Sequence, residues 1–225
     1  MSLFKSLGYV TIQTADIDRW RQFAFQLIGF AEGKGPDPDA LYLRMDERAP
    51  RIVVTPGDTD RIIASGWEVR DRAELQRVRE TLDGAGVPYK QLSQGEADDR
   101  RVEEVLTFDD PAGNTLEVFH GAVLDHSPVV TPFGARFVTG DQGMGHVVLP
   151  APAKFDATRD FWRNVMGFEL SDFVNFDMGP GNPPVRICFL HCANPRQHSV
   201  ALAEIAEHGH VLTPGRYVGA EAVED

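Results

Sequence analysis

Long apolar runs and cysteines are the two features that this sequence most clearly lacks. No stretch approaches the roughly 20 apolar residues that a membrane-spanning helix needs, and the N-terminus does not begin with the apolar core of a secretory signal. Only two cysteines occur, Cys188 and Cys192. A single pair at this spacing is a weak zinc motif, so we interpret both as small, buried, reduced side chains. We expect a soluble, cytoplasmic protein.

Positive charge is also in short supply. The chain has 22 Lys and Arg against 34 Asp and Glu, a formal net charge of −12, and its basic residues form no cluster. Nucleic acids and anionic membranes repel such a surface, so neither is expected as a partner. The 225 residues, 42% hydrophobic and 25% charged, have the composition of a globular protein with one large domain or two small ones.

The first 60 residues follow the order strand, helix, strands. Residues 7–13 are rich in β-branched and aromatic side chains, which predicts a strand. Asp16 is a suitable N-cap for a helix over about residues 17–27, whose apolar side chains recur at spacings of three and four. Two further strands are predicted over residues 41–45 and 51–55.

A second module of the same kind follows. Its helix is indicated by Leu75, Val78 and Leu82, which share one face. Residues 109–114 are dense in turn formers and separate two of its strands. The predicted strands of this module cover residues 66–69, 105–108 and 115–119.

The pattern of the first module returns after a linker rich in proline and glycine. Residues 8–12 match residues 145–149, and both stretches lead to a helix that carries a tryptophan and ends in Gly-Phe. Gly8 to Gly29 is 21 positions, and Gly145 to Gly167 is 22. Self-similarity at this level predicts duplicated modules.

Histidine is missing from the first 119 residues, and all seven histidines follow. Residues 143–149 are predicted to form a buried strand with His146 in its middle, and Tyr9 holds the same place in the first module. A lone buried histidine is more often bonded to a backbone carbonyl than to a metal. Because the first module does without an imidazole there, we interpret His146 as a metal ligand.

The duplication also predicts where a second imidazole should lie. In the opening strand of the second module, the place of Tyr9 is taken by Trp67, 58 positions later. The same step from His146 gives position 204, and His208 and His210 lie just beyond it. His210 is the better candidate, since it precedes an apolar pair as His146 does.

A carboxylate would complete a ligand set of two histidines and one acid, which suits a non-haem Fe(II) that binds substrate and O2 together. Glu117 marks the carboxylate position in the second module. Its counterpart by the position of the preceding turn is Glu221, one residue out of register, and a slip of one residue in a strand turns the side chain to the other face. By spacing from the opening strand, the carboxylate would fall near position 260, beyond the sequence given.

Several stretches are similar to the type I extradiol dioxygenases of the vicinal oxygen chelate superfamily, and resemble in particular the 2,3-dihydroxybiphenyl 1,2-dioxygenases. The stretches that carry this resemblance are residues 8–10, 109–119, 137–140, 143–146 and 189–199. The resemblance implies an α+β fold of four βαβββ modules paired into two domains. It also implies assembly into a homo-oligomer.

On this pattern, residues 1–126 are an N-terminal domain of two modules without a metal site. Residues 127–142 are a linker, and residues 143–225 are the metal-binding domain. The fourth module is expected to be incomplete within these residues.

The resemblance implies roles for individual residues of the second half. His146 matches the first iron ligand, and His198 matches a catalytic acid–base histidine that is not a ligand. Val148 and Phe189 match positions that line the catechol pocket. His210 fits the second ligand position loosely. Gln197 stands where many relatives have a second histidine, and His191 matches a residue that is not a ligand.

The implied activity is Fe(II)-dependent extradiol (meta) cleavage of a substituted catechol by O2. Mn(II) takes similar ligands. One alternative keeps the fold and changes the chemistry to a glyoxalase-type lyase, although such sites usually need more carboxylate ligands. Another is a metal-free binding protein, as in the bleomycin-resistance branch, which an absent carboxylate strand would favour.

Overall fold

A computed structural model of the protein describes residues 2–132, 134, 136–177 and 185–205. The first module comprises β1 (Ser6–Thr14), α1 (Ile17–Gln22), β2 (Ala31–Glu32), β3 (Leu41–Arg44) and β4 (Ile52–Pro56). The second comprises β5 (Arg61–Glu68), α2 (Arg72–Gly84), β6 (Lys90–Gln91), α3 (Gln94–Asp99), β7 (Glu104–Asp109) and β8 (Thr115–His120). The third comprises β9 (Val147–Pro150), α4 (Phe155–Asn164), β10 (Glu169–Phe176), β11 (Val185–His191) and β12 (Val200–Ala203). Within the described residues, no helix has both the length and the apolar character to span a bilayer.

The predicted first helix is confirmed, with a change of winding along its length. The Asp16 side chain accepts a hydrogen bond from the Arg19 backbone N–H and caps α1. The helix then widens into a π-helical segment, Phe23–Ile28. It ends at Gly29, whose φ of +84° is a left-handed conformation that glycine adopts without strain.

The strands form two sheets whose orders reveal the repeat. The first sheet has eight strands in the order β2-β3-β4-β1-β5-β8-β7-β6, and the second has four in the order β10-β11-β12-β9. β9 pairs in parallel with β12, as β1 does with β4. The third module therefore repeats the strand order of the first, which confirms the α+β fold of duplicated modules. The predicted fourth module would fall largely on residues 206–225, which lie outside the described residues.

Backbone hydrogen bonds fix the register of the two copies. The Val10 N–H donates to the Arg51 carbonyl at 3.0 Å, and the Val147 N–H donates to the Ser199 carbonyl at 3.2 Å. Val10 and Val147 are therefore equivalent. Tyr9 immediately precedes Val10, and His146 immediately precedes Val147. The predicted match of Tyr9 with His146 is therefore confirmed.

The two sheets share one continuous apolar core. Three aromatic rings lie at the centre of the contact, Trp67 from β5, Trp162 from α4 and Phe168 just after that helix. Their centroids are 4.9–5.1 Å apart, and each pair meets edge to face. Trp67 and Trp162 are completely buried. The domain linker over residues 127–142 remains a prediction. The shared core contains residues from both before and after it.

The turn over residues 109–114 also joins the sheets. The buried Asp110 carboxylate accepts hydrogen bonds from the Ala112 and Asn114 backbone N–H groups and from the indole N–H of Trp162 at 3.2 Å. The Asn114 amide donates to the Pro150 carbonyl at 2.9 Å. Burial raises the pKa of Asp110, because it disfavours the charged carboxylate. The donated hydrogen bonds oppose this shift and stabilise the carboxylate.

Replacing Trp162 with Phe should lower the free energy of unfolding by about 2–3 kcal/mol, because it removes a buried N–H donor to Asp110 as well as packing area. Chemical denaturation measures the change. Trp20→Phe is the matched control: Trp20 is half-buried on α1, and its replacement should cost less than about 1 kcal/mol. Equal losses in the two variants would show that the bond to Asp110 contributes nothing.

Candidate active site

His146 lies immediately before β9 and its side chain is exposed. The prediction of a buried strand over residues 143–149 is therefore wrong for its first half. The physical reason is the glycines: Gly143 and Gly145 have φ values of +66° and +140°, which a strand does not allow. Pairing with β12 begins only at Val147, so His146 stands at the entrance of the strand.

His198 lies near the start of the neighbouring strand, one residue further out than His146. It lies two residues before β12 begins, next to Ser199, whose carbonyl accepts the hydrogen bond from Val147. The imidazoles of His146 and His198 have centroids 4.4 Å apart, and the Phe189 ring is 4.9 Å from His198. The structure thus brings together three of the residues that the sequence singled out.

Val148 and Phe189 share one face of the four-stranded sheet. Both are paired laterally with Ala201 of the intervening strand, Val148 on β9 and Phe189 on β11. Because side chains alternate along a strand, this face is opposite to the one on which Leu149 and Leu190 are buried in the core. An apolar surface therefore extends from the two imidazoles.

Both imidazoles are held in the neutral form. Partial desolvation of the ring, followed by the nearby His198 and Arg196, lowers the pKa of His146. Desolvation and then Arg196 lower the pKa of His198. A neutral imidazole has a free nitrogen lone pair, which is the form that binds a metal or accepts a proton near pH 7.

Gln197 contacts one of the two ring nitrogens of His198. The Nδ1 of His198 is hydrogen-bonded to the Oε1 of Gln197. Because a carboxamide oxygen only accepts, this contact fits the tautomer with the proton on Nδ1 and the lone pair on Nε2. Ser171 in turn donates its hydroxyl to the Gln197 carbonyl and contacts Nδ1 of His191 at 2.8 Å. His191 is therefore linked through Ser171 to the backbone of the loop that carries His198.

The described residues provide only part of a metal-binding set. Among them, no three His, Cys, Asp or Glu side chains are grouped so that they could hold a metal ion. His146 supplies one exposed, neutral donor, which fits a first-row metal. The other predicted ligands, His210 and Glu221, and also His208, lie outside the described residues.

The equivalent place in the first half is filled by protein groups. The Tyr9 hydroxyl donates to Glu117 Oε2 at 2.6 Å, and the Arg100 guanidinium binds both oxygens of Glu117 at 2.7 and 2.6 Å. Glu117 is only 2% exposed. Gly66 of β5 is paired with Tyr9 of β1 on one side and with Glu117 of β8 on the other. This is the arrangement expected of positions that match a pair of metal ligands. Arg100 supplies the positive charge here, and nothing in the sequence pattern pointed to it.

The predicted equivalence of Trp67 with Tyr9 is wrong by one residue. Gly66 is the residue that lies beside Tyr9, and a side chain there would collide with the Tyr9 ring, 2.4 Å from a Cβ. Trp67 is the next residue along β5, so its side chain turns to the opposite face and packs in the core. The 58-position step that led to His210 carries the same error.

Comparison with known proteins agrees with the fold. Residues 7–57 match the family model described as dihydroxybiphenyl dioxygenase BphC D1. An iron-dependent extradiol dioxygenase of Rhodococcus jostii (strain RHA1) is 48% identical over 202 residues, 88% of this chain and 67% of the relative. A biphenyl-2,3-diol 1,2-dioxygenase of Metapseudomonas furukawaii is 37% identical over 201 residues, 88% of this chain and 65% of the relative.

Solved structures give the same result. A catechol 2,3-dioxygenase crystal structure superposes with a TM-score of 0.81 at 32% identity, over 90% of this chain and 67% of that one. The chain thus spans about two thirds of the length of the relatives it matches. It belongs to the extradiol dioxygenases, oxidoreductases with the vicinal oxygen chelate fold, as the sequence resemblance predicted. Membership of this family implies a catalytic metal and favours ring cleavage over the lyase and metal-free alternatives.

Replacing Arg100 with Met should lower the free energy of unfolding by about 3–5 kcal/mol, because Glu117 would remain as a buried charge without its counter-ion. Adding Glu117→Leu to that variant should recover most of the loss, since it removes the stranded carboxylate. Urea denaturation of the single and double variants measures both changes. A double variant as unstable as Arg100→Met would show that packing, and not the ion pair, is responsible.

Proposed function

We propose that this protein is an Fe(II)-dependent extradiol dioxygenase that cleaves a substituted catechol beside its diol, in the degradation of aromatic compounds. The observation that carries the proposal is the pair of neutral imidazoles, His146 and His198, at one edge of the apolar face formed by Val148 and Phe189. The 48% identity with an iron-dependent extradiol dioxygenase supports the same chemistry.

In this proposal the metal is held in the second half of the chain. His146 is one ligand, and His210 and Glu221 are the candidates for the second histidine and the carboxylate. Iron, when bound, lowers the pKa of a catechol hydroxyl and brings the diol and O2 together. Mn(II) is the alternative ion. The proposal assigns no metal to the first 126 residues, where Tyr9, Glu117 and Arg100 bind one another at the equivalent place.

His198 is the proposed acid–base residue. Its Nε2 lone pair is left free by the bond from Nδ1 to Gln197, so Nε2 accepts the proton from a catechol hydroxyl. Protonated His198 would then supply a positive charge beside His146, close to the catechol oxygen that loses its proton. A ring contact with Phe189 limits how far the imidazole can turn.

The proposed substrate class is a catechol with an apolar substituent next to the diol, such as 2,3-dihydroxybiphenyl. Val148 and Phe189 provide a flat apolar surface beside the imidazoles, which suits an aromatic ring and offers no charge to a polar substituent. One relative is named for biphenyl-2,3-diol and another, from Pseudomonas putida, for 3-methylcatechol. A homo-oligomeric assembly and a cytoplasmic location remain predictions.

Full-length protein loaded with Fe(II) under anaerobic conditions should turn 2,3-dihydroxybiphenyl yellow on admission of air, with matching O2 uptake. Absorbance and an oxygen electrode record the two signals. A preparation that binds iron and consumes neither substrate nor O2 would contradict the proposal, as would one that binds no iron at all.

Two histidine variants separate the proposed roles. His146→Ala should lose bound iron, because it removes a ligand. His198→Asn should keep iron and lower kcat by about 10²- to 10⁴-fold, the range for removal of an acid–base group. Metal analysis and steady-state kinetics measure both. His191→Asn is the control in the same module, and it should keep its iron. Equal loss of iron from the His146 and His198 variants would overturn the assignment.

A further inference from the structure

The loop that carries His198, residues 192–198, is fastened at its base to the start of the chain. The Ala193 N–H donates to the Phe4 carbonyl at 3.1 Å, and the Asn194 side-chain amide donates to the Lys5 carbonyl at 3.0 Å. Asn194 Oδ1 accepts the N–H of Arg196 at 3.0 Å. These bonds set the course of the loop and direct Arg196 away from its base.

The Arg196 side chain reaches the segment that leads to His146. Its Nε donates to the Gln142 carbonyl at 3.0 Å, and its Nη2 approaches the Val138 carbonyl at 3.4 Å. Among the described residues, no carboxylate forms an ion pair with Arg196, so both contacts of the guanidinium are with backbone carbonyls of this segment. Arg196 is also close enough to both imidazoles to lower the pKa of each.

The segment that Arg196 contacts, residues 138–146, needs interactions that fix its conformation. Gly143 and Gly145 have positive φ values just before His146, and glycine leaves the backbone with little intrinsic stiffness. The N–H of Met144 donates to the Leu7 carbonyl at 3.1 Å, and the N–H of Val147 bonds to Ser199. Without the bond from Arg196 to Gln142, the position of His146 would depend on these bonds and on the one from the Gly143 N–H to the Gly140 carbonyl at 3.1 Å.

We propose that Arg196 is a positioning residue that sets the spacing of His198 and His146, by tying the loop of one histidine to the glycine-rich segment of the other. Arginine suits this task because its planar guanidinium directs several N–H groups at once, and here they reach two carbonyls four residues apart. A lysine could satisfy one of the two. The effect on spacing is independent of the metal, whereas the effect on turnover rests on the proposed function.

The spacing can be measured without metal or substrate. In metal-free protein labelled with ¹³C at histidine, the rings of His146 and His198 should show a nuclear Overhauser effect, since their centroids are 4.4 Å apart. Resonances are assigned with His146→Ala and His198→Asn. Arg196→Met should remove this cross-peak while the core methyl resonances stay in place, and Arg196→Lys should weaken it. An unchanged cross-peak in Arg196→Met would overturn the proposal.

Kinetics of the iron-loaded protein test whether Arg196 acts through His198. Arg196→Met should retain iron and lower kcat by about 10- to 100-fold, the cost of a small misplacement of a catalytic group. In a His198→Asn background the same change should lower kcat by less than twofold, because the group that it positions is already absent. Arg163→Met, an exposed arginine in the last turn of α4, is the control and should leave kcat and the cross-peak unchanged.

Two results would count against the proposal in the kinetic test. An equal loss of kcat from Arg196→Met in both backgrounds would show that Arg196 does not act through His198. Loss of iron from Arg196→Met would show that it acts on the metal ligand instead. If the unaltered protein has no turnover, the proposed function fails, and the ring-to-ring cross-peak still decides the spacing.

Discussion

The parallel pairing of β9 with β12 is the constraint on which the candidate site depends. Parallel strands enter a sheet at the same edge, so the residues that precede them meet there. His146 precedes β9 and His198 precedes β12, and the bond from the Val147 N–H to the Ser199 carbonyl brings their backbones together. Two histidines 52 positions apart in the sequence therefore become neighbours through one hydrogen-bonded register. His146 is exposed and His198 half-buried, and neither lies within a strand.

In the first module, protein groups occupy the place that is equivalent to the candidate site. β1 and β4 pair in the same register, and Tyr9 occupies the place of His146. Its hydroxyl and the Arg100 guanidinium both bind Glu117, so a fixed cation and a phenol satisfy the carboxylate. In the second half, the corresponding charge is proposed to come from an exchangeable ion. On this proposal, the first and third modules share their strand order and differ in the source of the positive charge.

The sequence was sufficient for features that depend on local pattern. The apolar spacing of Leu75, Val78 and Leu82 predicted a helix that buries those side chains, and Asp16 caps the helix that it was expected to cap. The internal repeat matched Tyr9 with His146 correctly, because the equivalent strands of the two modules pair in the same register. Family membership followed from motifs around His146 and His198.

The errors arose where a single residue or a distant contact decides the outcome. Gly66 and Trp67 are adjacent, and the pattern could not show which of them faces Tyr9, whereas the bulk of the Tyr9 ring over Gly66 settles it. His146 was expected to be buried because apolar residues follow it. The positive φ values of Gly143 and Gly145 are incompatible with a strand, which therefore begins only at Val147. Asp110 with Trp162 and Arg196 with Gln142 join residues 52 and 54 positions apart, and no local rule predicts such contacts.

The shared core of Trp67, Trp162 and Phe168 makes the two sheets a single thermodynamic unit. Opening the third module exposes aromatic surface that also belongs to β5, so neither sheet can unfold while leaving the core of the other intact. A ligand held at the edge of the third module therefore stabilises strands that it never touches, by linkage through the folded state. The first two modules thereby contribute to how firmly the third module would hold a bound ligand.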